Sequence, residues 1–192
     1  MSDQMKLLQG YVNDMLAVET ELHEAFRRQK RDNTELRRFT AAHQIISRTE
    51  DTIDRHLSAL RDALKRLGSD ESTLKKAVGG VLGAAAGWYD RLRSDSTVSR
   101  VLRDDYAALS FATICYEMLH TTALAMKDAE TAALAIRHLK DYAPLIMSLG
   151  DAVPEVLIDE LSSAGAVAAD RGVATQAVRN THEAWASATT TA

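Results

Sequence analysis

Cysteine occurs once, as Cys115, so no disulfide can close within the chain and no secreted disulfide framework is available. Its neighbours Ile114 and Tyr116 lead us to expect a buried thiol. Proline occurs only at Pro144 and Pro154, and aromatic residues make up 5% of the chain, which leaves few interruptions to helix. The net charge of −4 is too small for a whole-molecule field that would draw in nucleic acid or anionic lipid. The uncharged run from Ala77 to Tyr89 falls well short of the roughly 20 residues that span a bilayer, so no membrane span is expected. Met1-Ser2-Asp3-Gln4 lacks the charged and apolar regions of a signal peptide, and the expected location is the cytoplasm. No P-loop, GxSxG elbow, CxxC pair or dinucleotide-binding glycine fingerprint occurs.

What the chain does have is helix formers in long amphipathic runs. Its 192 residues suit one domain with one core. Leu8, Val12, Met15, Leu22 and Phe26 recur at three- and four-residue steps, which predicts a first helix from Lys6 to about Lys30. A second stripe through Phe39, Ala42, Ile46, Ile53, Leu57, Leu60 and Leu64 stops at Gly68, a residue suited to a left-handed terminus. The short break between the two makes them antiparallel neighbours. A shorter helix is expected over 73–93, where Gly79, Gly83 and Gly87 would bare one face for close packing or a dimer contact. A third long helix is expected from Thr97 to about Asp128, and a fourth from Thr131 to Gly150, kinked at Pro144. Pro154 suits the first turn of a further short helix or an angled continuation. Residues 163–192 read as a C-terminal helical extension with a disordered tail, beyond a helical domain over 1–162.

Several polar side chains fall on or beside these stripes. Glu19 stands between Met15 and Leu22 and must point inward, where a carboxylate needs a partner or a metal. His23, one turn on, can share a ligand with it. Glu50 flanks the second stripe near His43 and Asp54, with His56 on the other flank. Glu117 and His120 have the Glu-x-x-His spacing that places both over one helical turn, and His138 with Asp141 repeats the interval. The candidate metal set is therefore Glu19, His23, Glu50, Glu117 and His120. Eleven Lys and Arg against seven acids between Glu24 and Leu67 read as a solvated face, because no aromatics alternate with the charges as base-stacking platforms would.

Glu19, Thr49-Glu50-Asp51 through His56-Leu57, the helix at 73–93 and Glu117-x-x-His120 together make the chain resemble the ferritin-like superfamily over residues 5–160. More narrowly it is similar to the bacterial YciE/YciF-type ferritin-like stress proteins. The resemblance implies an all-α, antiparallel four-helix bundle with a short crossover helix, an iron or manganese centre and a homodimer or larger homo-oligomer. A ferritin-like di-metal site takes a Glu from each of two helices and a Glu-x-x-His from each of two others. Here Ile53 stands three before His56, and no Glu lies between Thr131 and Gly150. The expected function is therefore a non-catalytic, stress-associated or interaction protein with an incomplete site. The alternative is a di-iron or di-manganese carboxylate protein, a ferroxidase or metal store.

Overall fold

The computed structural model describes residues 3–69 and 97–189. Every regular element within them is helical: α1 (Asp3–Asp32), a 3-10 turn (Glu35–Arg38), α2 (Thr40–Arg66), α3 (Val98–Ala125), α4 (Ala129–Ser163) and α5 (Arg171–Thr189). The helix expected over 73–93, with its face of Gly79, Gly83 and Gly87, lies outside the described residues, as does the end of the tail at 190–192. No described helix is long and apolar enough to cross a membrane.

The stripe read from the sequence of α1 is the face it buries, with Leu8, Val12, Met15, Leu22 and Phe26 all at most 5% exposed. Asp3 in its first turn and Lys30 and Arg31 in its last complement the helix dipole. At the turn, the Asn33 side chain accepts the Leu36 N–H at 3.0 Å, and Leu36 is fully buried, which pins the chain reversal to the core. In α2 the expected stripe is again the sealed face, including Ile46, Ile53, Leu60 and Leu64. It ends as foreseen at Gly68, whose φ of +84° lets the Ser69 N–H reach back to the Leu64 carbonyl at 2.9 Å.

The four long helices surround one continuous apolar core. Gln9 donates to the Leu67 carbonyl, and Lys30 pairs with Glu50, so α1 and α2 run antiparallel. Ser99 meets Glu160, and His120 meets Ala132, so α3 and α4 do the same. Gln29 reaches Asp105 across α1 and α3, and Arg66 holds Asp128 at 2.9 Å across α2 and α4. The end of α2 therefore sits beside the starts of α1 and α4, whereas the start of α3 sits beside their ends.

Two expectations are corrected. α4 is one 35-residue helix that contains Pro144, as expected, and does not end at Gly150: of the two expectations for the stretch from Pro154, a continuation forms and a separate short helix does not. A proline keeps a helical φ and forfeits one backbone donor. Burial of Tyr142, Leu145, Leu149 and Val156 across both prolines holds the helix together. Gly150 is not a terminator: it lies within α4, facing the Tyr106 ring, where a Cβ at 3.5 Å would be in ordinary van der Waals contact. Cys115 is only partly buried, because its position turns it off the core-facing line that Tyr116 occupies.

Candidate functional site

Midway along the helices the apolar core is interrupted by a set of polar side chains, each at a core-facing position of its own stripe. α1 supplies Glu19, α2 supplies His56, α3 supplies Tyr116, and α4 supplies His138 and Tyr142, all at most 2% exposed. A carboxylate removed from water without compensation costs several kcal/mol. Glu19 is compensated on both oxygens. Its Oε1 accepts the Tyr116 hydroxyl at 2.6 Å and faces His56 Nδ1 at 3.1 Å, while its Oε2 accepts the Tyr142 hydroxyl at 2.5 Å. Hydroxyl-to-carboxylate bonds of this length are charge-assisted and about twice as strong as neutral ones.

The single proton of Tyr116 goes to Glu19, so the 2.7 Å contact between its oxygen and His138 Nδ1 requires the imidazole to donate. His138 is then the neutral Nδ1–H tautomer, with a lone pair left on Nε2. Burial, the charge on His56 and the charge on Arg137, in that order, push the His138 pKa down to about 2. The His56 and His138 rings stack 3.7 Å apart and 8° from parallel, a geometry that disfavours charge on both. His56 also meets a carboxylate on its other side, Asp141 Oδ2 at 3.2 Å from Nε2. Both of its nitrogens thus face carboxylate oxygens, Nδ1 that of Glu19 and Nε2 that of Asp141. Burial, followed by the charge on Glu19, holds the Tyr116 and Tyr142 hydroxyls far above their usual range, so both remain donors.

Of the five candidate ligands named from the sequence, only Glu19 reaches this centre. His23 lies 3.0 Å from Asp54, and Glu50 pairs with Lys30. Glu117 is exposed, and His120 donates to the Ala132 carbonyl at 2.9 Å. His138 and Asp141, noted for their spacing, both join the network, although they contact different partners. His56 is not a flank residue: it is 1% exposed and central. Tyr116 and Tyr142 belong to the centre although no motif spacing marks them as site residues. The available signal was that a tyrosine on a buried stripe needs a partner for its hydroxyl.

A di-metal centre does not fit these residues. Ile53 and Ala135, each three before a central histidine, are fully buried and offer no oxygen, and α3 contributes a tyrosine. One buried carboxylate would face two divalent ions, leaving most of their charge uncompensated in a medium that penalises it. A single ion is a different matter. Glu19, His56 and His138 each offer a donor atom within 4.8 Å of the others, a two-histidine, one-carboxylate set of the kind that binds first-row divalent metals.

No family model matches the chain, and neither the curated proteins nor the solved structures contain a significant match to it.

Proposed function

We propose that this chain is a ferritin-like antiparallel four-helix bundle that has exchanged the di-metal centre for a hydrogen-bonded Glu–His–Tyr core, and that it acts through protein contacts rather than catalysis. The opposite placement of the end of α2 and the start of α3 supports the topology, since a ferritin-like bundle has one long crossover. The observation that carries the functional reading is the saturation of Glu19: both oxygens already receive their hydrogen bonds from Tyr116, Tyr142 and His56. A homodimer would use the outer face of α3, where Ile114 and Met118 stand four apart and are 55% and 50% exposed. Nucleic acid is not favoured as a partner, because Arg28, Arg31, Arg38 and Lys65 each have an acidic neighbour on their own segment.

Elemental analysis of the purified protein, paired with an Fe(II) oxidation assay in air, tests this. The expected result is well under one iron or manganese per chain and oxidation no faster than in buffer. Two tightly bound ions per chain, or accelerated oxidation, would reverse the reading.

A second reading rests on the convergence of Glu19, His56 and His138: the centre takes one divalent ion, iron or manganese among them. The ion would stand in place of the proton between His56 and Glu19. Under this reading added Mn(II) raises the melting temperature of the wild type. The rise is absent in His138→Ala.

A further inference from the structure

On the outer side of His56, between α2 and α4, lies an open cavity of about 330 Å3. Arg48 and Arg55 line it from α2, Lys140 lines it from α4, and the carboxylates present are Asp51 and Asp141. One of those carboxylates is committed, because Asp141 bonds to His56. Among the described residues none of the three cations is paired with a carboxylate. Among the described residues neither Arg48 nor Lys140 has an ion pair or side-chain hydrogen bond. Arg55 is tied to its own helix by bonds to the Asp51 carbonyl at 3.1 Å and the Thr52 hydroxyl at 2.9 Å, which fixes its guanidinium at the rim with other N–H groups to spare.

Three cations against two carboxylates leave the concavity with one net positive charge, and a negative occupant that reaches the cations gains charge-assisted hydrogen bonds. Pro144, also in the lining, cannot donate to the Lys140 carbonyl one turn before it, so this stretch of α4 also has an acceptor without its usual helical donor. The volume sits at the lower end of small-molecule sites, which begin at roughly 300 Å3. Such a cavity suits neither an apolar ligand nor a long polymer. We infer that it binds a small anion, a phosphate or a carboxylate of a few heavy atoms, held by Arg48, Arg55 and Lys140. This site is independent of the bundle reading above. The bound anion sits beside Asp141, one hydrogen bond from His56 and two from Glu19, so occupancy reaches the buried centre.

The test is a titration of the full chain with inorganic phosphate and, separately, with malonate, followed by calorimetry and by the imidazole nitrogen shifts of His56. Saturable binding of at least one anion is expected, with His56 moving in step. A charge-assisted hydrogen bond is worth about 1.5–3 kcal/mol, so Arg48→Ala and Lys140→Ala should each weaken binding about tenfold or more. Both side chains are exposed, and unchanged melting curves will show that the variants fold. Lys65→Ala, which removes a charge paired with Asp62 away from the cavity, should leave the affinity unchanged. Phosphate binding alone identifies a phosphate site, and malonate binding alone a carboxylate site; either supports the inference. Absence of saturation by both anions overturns it. So does equal weakening in Lys65→Ala and Arg48→Ala, which would mean that only general surface charge is involved.

Discussion

The core positions around Glu19 and those around Leu60 are equally sealed from water, and they resist disturbance by different physics. Leu60 contributes through dispersion and area removed from water, terms that belong mostly to that side chain and ignore pH. Glu19 contributes only as a member of a set. Its charge is tolerable because two tyrosines and a histidine solvate it, and those groups are tolerable in the interior because Glu19 accepts from them. Loss of one member strands the others. An apolar layer therefore degrades in proportion to what is removed, whereas a polar centre fails as a unit.

The sharpest way to break this comparison is Glu19→Ala, which leaves two buried hydroxyls and the His56 ring facing a void. The expected loss of stability is about 3–5 kcal/mol by chemical denaturation. A loss below about 1 kcal/mol would mean that water replaces the carboxylate at no cost. Leu60→Ala comes next, at about 2–5 kcal/mol, the range for a truncated buried leucine. Its cost should be the same at pH 5 and pH 7.5. A change under about 0.5 kcal/mol would show that this stripe is not core.

The third test uses the pH axis, where the two regions separate most cleanly. His138 has a folded pKa near 2, far below its unfolded value of 6.5. Below pH 6.5 the unfolded chain takes up a proton that the folded chain refuses, so stability falls as pH falls, by about 1.4 kcal/mol per pH unit for this group. Above pH 6.5 both states are neutral at this ring and the contribution is flat. The difference in slope between the wild type and His138→Gln over pH 4.5–6.5 isolates the effect. Parallel slopes would mean that the imidazole protonates in place. The smallest effect is expected outside both layers, on α5. Trp185 is 63% exposed there, and Trp185→Ala should change stability by less than about 0.5 kcal/mol.

The centre was half legible in the sequence, for a geometric reason. A carboxylate inside an apolar stripe, as at Glu19, declares its own burial. Spacing along α3 puts Tyr116 on the apolar stripe, and it is buried there. Neighbouring residues on a helix point about 100° apart, so Glu117, which the Glu-x-x-His spacing offers as a ligand with His120, faces outward and is exposed. Leu57 and Leu60 define the stripe of α2 and leave His56 on its flank in the sequence pattern. With α4 packed on one side of α2 and α1 on the other, the buried face is wide enough to include it.

Periodicity and composition alone determined that the chain is helical, where α1 and α2 run, that Gly68 ends α2 and that Leu60 is core. These properties follow from spacing along one helix and from one residue's backbone freedom, which are local. Tertiary structure alone decided that α4 runs on past Gly150 and through Pro154 as one helix, because burial on both sides outweighs the forfeited backbone donor. It alone brought Glu19, His56, Tyr116, His138 and Tyr142 together from four helices. Hydrogen bonds between residues up to 123 positions apart are set by how the helices are rotated and aligned against one another, which no single helix's pattern encodes.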